Sequence, residues 1–258
     1  MSSDDSAVRA GRDPTFSASD AFKINVLEAI VASLTERLRM NMDAMNSLPH
    51  PTTRKNDPDQ TRRDIIAVAT REFAMAGLSG ARIDRIAAQI RSSKRMIYYY
   101  FGSKEGLYLA VLEEAYRNLR QIEGGLHLDG LTAIDALREL VGFTFDHHVA
   151  HADYVRLIAI ENIHEGKHLA KSRMIQELNV PAIDAVRTVL ALGAREGTFR
   201  KDIDPVDLHM SISALCFYNV SNRHTFGIIF KRDMTSPAAL RARRAVVIDT
   251  IVAAVRPR

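Results

Sequence analysis

The sequence has 258 residues, 47% of them hydrophobic and 26% charged, a balance that allows a sizeable core and excludes a disordered chain. Its single cysteine, Cys216, excludes an internal disulfide framework and a thiolate zinc site, in keeping with a reducing compartment. No apolar run approaches the ~20 residues that cross a bilayer, and the opening MSSDDSAVRAGRD carries acids where a secretory signal carries cations, so a cytoplasmic protein with no membrane partner is expected.

The net charge of +4 is unevenly spread. Residues 54 to 120 hold 13 Lys and Arg against 8 Asp and Glu, while the flanking segments are close to balance. An excess of cation confined to one segment is the footprint of a part that touches a polyanion while the rest does something else.

Alternating strand patterns are scarce and 3.6-residue apolar stripes recur, which predicts an all-α protein. A first amphipathic helix is expected over 20–47, with Leu27, Val31, Leu34 and Leu38 on one face and Pro49 and Pro51 beyond its end. The polar linker TTRKNDPDQ follows. Four closely spaced helices come next: 59–76, stopped by Gly77; 83–90; 94–101, ended by Gly102; and one opened by Ser103 that runs toward Arg120, with Gly106 unusually early inside it. The second and third are too short to stand without packing on the first and fourth. Beyond Gly124 and Gly125 the helices lengthen, to 130–148, 152–164, 173–196 with a break or kink at Pro181, 205–230, and 236–255. Three parts are therefore expected: an extension over 1–58, a domain of short helices over 59–120, and a domain of longer helices over 121–258.

Two short helices separated by a tight break are the ingredients of a helix-turn-helix. The segment from Arg91 to Lys104 holds four cations and no acid. Ser92, Ser93, Lys94 and Arg95 open the second of these helices, where backbone N–H groups and the helix dipole already favour an anion such as a phosphate. Tyr98, Tyr99 and Tyr100 advance by about 100° each, so they cannot share a face. One or two should point outward, where a phenol can donate to phosphate and a ring can lie on sugar or a thymine methyl, and another should pack inside.

The stretch TRRDIIAVATREFAMAGLSGARIDRIAAQIRSSKRMIYYYFGSKEGLY resembles the DNA-binding domain of the TetR family of bacterial transcriptional regulators. The shared features are an A…F…G first helix, an IA second helix and the YxYFxSKExLY pattern. By position, the resemblance implies that Lys94, Arg95 and Met96 approach base edges, that Tyr98, Tyr99 and Tyr100 approach the backbone, and that Lys104 meets a phosphate. It places Ile97 and Phe101 in the core. Three departures stand out. Ala81 and Arg82 replace the usual threonine before the second helix, so that a cation takes over a hydroxyl's contact. The turn reads Ile90, Arg91, Ser92 instead of AGV, so a non-glycine has to tolerate a left-handed backbone. Arg95 stands where many members carry a small residue. Arg54 and Lys55, in the linker, match basic arms that reach into a minor groove.

For the second half the resemblance implies a homodimer paired through its last two helices, which would present two helix-turn-helix units to a pseudo-palindromic double-stranded DNA operator. It also implies a small-molecule effector and no cofactor. Polar groups within apolar helices mark candidates for the pocket: His147, His148 and His151, then Arg156 and Asn162, then Asn219, Asn222 and Arg223, with Phe143, Phe145, Phe217 and Tyr218 as walls. The stretches ENIHEGKHLA and CFYNVSNRHTFG are similar to the sensor domains of regulators of nitrogen-heterocycle catabolism, which makes a small aromatic or heterocyclic acid the first effector class to consider, since Arg clamps a carboxylate well. A rival reading takes His147 with His151 and His164 with His168, each pair one helical turn apart, as metal ligands of an all-helical sensor or enzyme. Each is only two ligands, HEGKH at 164–168 has the HExxH spacing but no third ligand is marked, no Gly-rich phosphate loop occurs, and the expectation is a ligand-responsive repressor that is not an enzyme.

Overall fold

The computed structural model describes residues 57 to 257. The expected helix over 20–47 and the linker cations Arg54 and Lys55 lie outside them. The described residues form helices and no strands: α1 Pro58–Gly80, α2 Ile83–Gln89, α3 Lys94–Phe101, α4 Lys104–Glu123, α5 Ala133–Ala150, α6 Ala152–Ile163, a 3-10 turn at Leu169–Lys171, α7 Arg173–Glu196, α8 Pro205–Ser221, α9 Arg223–Ile229 and α10 Pro237–Val255.

Local chemistry sets the helix starts. Asp57 accepts from the backbone N–H groups of Asp59 and Gln60, and Pro58 fills the first helical position, where its missing N–H costs nothing. Ser93 caps α3 through Met96, Ser103 caps α4 through Gly106, and Thr132, Ser172, Asp204 and Ser236 do the same for α5, α7, α8 and α10. Gly77 interrupts α1 at φ +65°, a backbone state that other residues adopt at a cost. The regular helix therefore ends where the sequence predicts, and a short turn continues it to Gly80.

Two buried cores organise the chain. The first gathers Ile65, Ala69 and Phe73 from α1, Ile86 from α2, Ile97 from α3, and Leu107, Tyr108, Val111 and Leu112 from α4, and it also takes Leu157 of α6 and Ile175 of α7. Each of these large side chains contributes roughly 1.5–3 kcal/mol by leaving water, which is what holds the short α2 and α3 in place. The second core joins Leu137, Val141 and Phe145 of α5, Val186 and Leu190 of α7, Ile212 and Cys216 of α8, and Val247, Ile251 and Val255 of α10. Cys216 is buried and its thiol is pushed up to about 12 by that burial, so it serves as packing and not as a nucleophile.

Two helix expectations change. The single helix over 205–230 divides at Asn222, whose backbone leaves the helical region before α9 begins. The apolar run is continuous in sequence, but Asn222 makes it two elements. At Pro181 the helix is neither broken nor ended: α7 continues through it from Arg173 to Glu196. The ring removes one N–H, and the carbonyl of Glu177 four residues earlier gets no donor from that position.

Candidate nucleic-acid interface and ligand-binding interior

The turn between α2 and α3 is tight, and Arg91 adopts φ +52° within it. The left-handed backbone expected of a non-glycine residue is thus present, and it costs roughly 1–2 kcal/mol. Ser92 N–H donates to the Ala87 carbonyl at 3.0 Å, closing the turn. Ile97 is wholly buried and anchors α3 to the core. That anchor fixes which side of α3 faces outward.

Lys94 and Arg95 are exposed, as are Met96 at 37%, Tyr98 at 44% and Tyr99 at 80%. Tyr100 turns inward: it is half-buried, packs on the first core and meets Tyr99 edge-on at 5.4 Å between ring centroids. Phe101 is half-buried against the same core with the Arg62 guanidinium over its ring at 5.4 Å. Lys94 forms an ion pair with Asp84 of α2, and the Lys104 ammonium donates to the Ser79 carbonyl at 3.2 Å. Both therefore tie neighbouring elements together while remaining at the surface. Arg82 is exposed at the start of α2, where its backbone N–H donates to the buried Glu72 carboxylate at 3.0 Å. Ser93 is exposed and Ser92 half-buried beside it.

Gly106, early in α4, has a steric reason. A Cβ there would sit 2.1 Å from the Phe101 carbonyl oxygen, so only glycine lets α4 start this close to the end of α3.

A second cluster fills the space between α4, α5, α6 and α8. His147 and His148 are buried. The His147 ring stacks on His151 at 4.2 Å, with Phe143 at 6.0 Å and Tyr154 edge-on at 5.8 Å. His148 donates from Nδ1 to the Thr144 carbonyl at 2.7 Å and lies against Tyr154 and Phe217. Tyr116 meets Tyr154 edge-on at 5.7 Å. Burial drives the His147 imidazole down to about 4, helped by the neighbouring His151 and His148 and by the charge of Arg120. Burial likewise lowers His148 and His209, and Arg120 adds to both. These imidazoles and the Tyr116 and Tyr154 phenols all feel the charge of one guanidinium, that of Arg120.

Arg120 sits in the last turn of α4, nearly buried, and pairs with Glu123. Among the described residues, the buried side-chain polar atoms without a hydrogen-bond partner are Arg120 Nε and His147 Nδ1. A cleft of about 360 Å³ opens beside Arg120 and Glu123, walled by Met174, Glu177, Leu178, Pro181 and Ala185 of α7.

Of the pocket candidates read from the sequence, the structure brings together Phe143, His147 and His151, and it joins Phe217 to them through His148. Arg156 is exposed, and Asn162 is exposed and bonds to the Ile158 carbonyl of its own helix. Tyr218 and Asn219 line a separate cleft of about 440 Å³ with Phe226, Met234 and Arg243. Arg223 is half-buried and bonds to His224, and Asn222 bonds to Ser221. Arg120, Tyr116, Tyr154 and His209 were not legible as site residues, because their helices show no polar interruption peculiar to them. The one available signal was the pairing of Arg120 with Glu123 at i, i+3 just before the Gly124–Gly125 turn.

HEGKH does not lie on a helix, since His164 caps the end of α6 and Glu165 has φ +57°. His147 and His151 stack face to face, His164 and His168 meet edge-on at 6.4 Å, and among the described residues no three His, Cys, Asp or Glu converge. His168 instead bonds to Glu161, through Nδ1 at 3.2 Å and through its backbone N–H at 2.6 Å. No helix of the described residues is long and apolar enough to cross a membrane.

An outward-facing helix-turn-helix packed on an all-helical domain with a polar interior defines a ligand-responsive DNA-binding transcriptional regulator. The match extends to sequence families: residues 65–111 fit "Bacterial regulatory proteins, tetR family", and residues 134–251 fit "Tetracyclin repressor-like, C-terminal domain". The chain is 39% identical over 186 residues to the HTH-type transcriptional repressor NicS of Pseudomonas putida, covering 72% of this chain and 88% of that protein. It is 34% identical over 166 residues to the HTH-type transcriptional repressor SCO4008 of Streptomyces coelicolor, covering 64% of this chain and 80% of that one. A crystal structure of the transcriptional regulator SCO4942 from Streptomyces coelicolor superposes with a TM-score of 0.58 at 32% identity, over 76% of this chain and 99% of that one. The chain belongs to the TetR family of bacterial transcriptional regulators. Regulators of this family bind DNA and small-molecule effectors as dimers.

Proposed function

We propose that this chain is a dimeric repressor that grips a pseudo-palindromic operator with one α3 per subunit and is released by a small aromatic or heterocyclic acid. The observation that carries the reading is the division of α3, with Ile97 locked in the core and Lys94, Arg95, Met96, Tyr98 and Tyr99 turned outward. Arg95 and Met96 reach base edges, while Ser92, Ser93, Tyr98 and Tyr99 bond to phosphates. Tyr100 supports Tyr99 from behind. Arg82 and Lys104 add sequence-blind charge on either side.

Dimerisation uses α8 and α10. Val206, Met210, Ala214 and Tyr218 recur every four residues as an exposed stripe on α8, and Ala242 and Val246 are exposed on α10. Such stripes, opposite the buried faces of the same helices, are suited to a self-complementary interface. Effector binding in the interior of the second half then favours a spacing of the two heads that no longer matches successive major grooves. NicS and SCO4008 both carry the name repressor, which supports repression here.

A gel shift with the DNA upstream of the protein's own gene, repeated with aromatic and heterocyclic acids, tests the reading. A sequence-selective shift relieved by one of the compounds supports it. A shift that survives every compound removes the effector half of the proposal.

A further inference from the structure

The turn that joins α2 to α3 closes through two hydrogen bonds. The Ser92 N–H donates to the Ala87 carbonyl at 3.0 Å and the Arg91 N–H to the Ala88 carbonyl at 3.3 Å. This pair satisfies the last carbonyls of α2 and needs a left-handed residue just past the helix end. Glycine takes that conformation without a side-chain clash, and the end of α7 uses it, with Gly197 at φ +70°. The end of α2 does not: Arg91 stands there at φ +52°. Nothing among the described residues offsets that choice. The Arg91 side chain is exposed and has no ion pair with them, whereas the neighbouring Arg85 and Lys94 are matched by Glu72 and Asp84, and the Lys104 ammonium by the Ser79 carbonyl. Backbone strain that the fold itself does not need points to a use outside the fold.

We propose that Arg91 is a phosphate clamp of the DNA complex: its guanidinium holds a backbone phosphate at the edge of the major groove that α3 enters, and the strained turn serves to present that cation. The inference rests on the reading of α3 as the operator helix. In a helix-turn-helix the first helix crosses the sugar–phosphate backbone and the second enters the groove by its N-terminal residues. The turn between them therefore passes the groove wall, where phosphates and not base edges lie. Arg91 immediately precedes Ser92 and Ser93, which open α3.

Arginine suits the place, because its planar fork engages two oxygens of one phosphate. Lys94 is held by Asp84 of α2, so that pair braces the two helices and leaves Arg91 as an unmatched cation beside them. A phosphate contact fixes charge and register but reads no sequence.

Three variants of the full-length protein separate charge from strain. Arg91→Gly removes both, Arg91→Gln removes the charge and keeps a side chain in the left-handed turn, and Arg91→Lys keeps charge and strain. Fluorescence anisotropy over a range of salt is measured on a duplex from the DNA upstream of the protein's own gene and on a scrambled duplex, with melting temperatures on the same preparations. Each phosphate contact contributes about 0.9 to the slope of log affinity against log salt, so a dimer that loses two should show a slope shallower by about 1.8 with Arg91→Gly and Arg91→Gln. Both should bind both duplexes about tenfold more weakly at moderate salt, with the preference between duplexes unchanged. Arg91→Lys should keep the parent's slope, and Arg91→Gly alone should melt about 2–4 °C higher. Arg91→Gly that melts higher but binds with the parent's affinity and slope would show an ordinary solvated arginine and overturn the proposal. Lost preference between the duplexes at an unchanged slope would overturn it too, since Arg91 would then read bases. A parent protein that does not distinguish the duplexes sinks the operator reading and leaves the slope on the scrambled duplex to decide the clamp. A parent that selects the upstream duplex, with Arg91→Gln keeping its full slope, sinks the clamp alone.

Discussion

The Tyr108 phenol, in the first half of α4, donates to the Glu161 carboxylate near the end of α6 at 3.2 Å, with both side chains buried. Glu161 also accepts the backbone N–H groups of His168 and Leu169, which outweigh the cost of burial and hold its carboxyl below the ordinary range. The carboxylate thus ties a residue of the DNA-binding head to the second half of the molecule. Tyr108 packs edge-on against Phe73 at 5.1 Å, so the tie is anchored in the first core.

Tyr108→Phe keeps that ring contact and removes one hydrogen bond to a buried charge. The expected cost is about 1.5–3 kcal/mol of stability, read as a lower midpoint in urea denaturation with an unchanged slope. No measurable loss would show that the phenol is not a partner of Glu161 in solution.

Residues two positions apart on α3 should fail in different ways. Tyr99→Ala, at an exposed position, should leave stability within about 0.5 kcal/mol while weakening operator binding. Ile97→Ala should cost about 2–5 kcal/mol through a core cavity. Thermal melts and fluorescence anisotropy on the two variants separate these effects, and a Tyr99→Ala variant with full operator affinity would remove that tyrosine from the interface.

Replacing glycine by alanine inside a helix ordinarily stabilises by about 1 kcal/mol. At Gly106 the sign should reverse, since the new methyl would meet the Phe101 carbonyl oxygen at 2.1 Å and backbone has to move. A melting temperature for Gly106→Ala at or above that of the parent would contradict the close approach of α3 and α4.

Stability should fall on mild acidification. The His147 imidazole lies at about 4 in the folded chain, against about 6.5 when unfolded. Above pH 6.5 both states are neutral and the full stability is present. As the pH falls toward 4 the unfolded state takes up a proton that the folded state refuses, and roughly 3 kcal/mol is lost across that window. His147→Gln should flatten the pH dependence of the urea midpoint between pH 6.5 and 4. The lowered His148 and His209 act in the same direction, so some slope should persist.

The head of the molecule was readable in the sequence because its signals are local. Ser93 and Ser103 cap, Gly77 and Gly102 stop, and Ile97 falls at the one fully buried position of a short helix. Even the left-handed Arg91 followed from a turn of fixed length without its glycine. The inward tyrosine was open until packing chose Tyr100, because three consecutive phenols look alike in sequence. The interior site was the least legible part. Arg120 belongs to a helix whose other end packs beside the helix-turn-helix, and Tyr154, His147 and His209, which feel its charge, come from three further helices. Only their packing brings them together, and no spacing within one helix announces it. Proline's local rule allows a break or a kink at Pro181, and the packing of α7 against α4, α5 and α8 accompanies a helix that continues without a break.

The central claim, that an outward α3 reads a specific operator, is tested most directly by fluorescence anisotropy on a labelled duplex from the DNA upstream of the protein's own gene, competed with a scrambled duplex at moderate salt. The account predicts binding by one dimer per site, at least about 10³-fold tighter than to the scrambled duplex, with Arg95→Ala erasing most of that preference. Equal affinity for the two duplexes would contradict it.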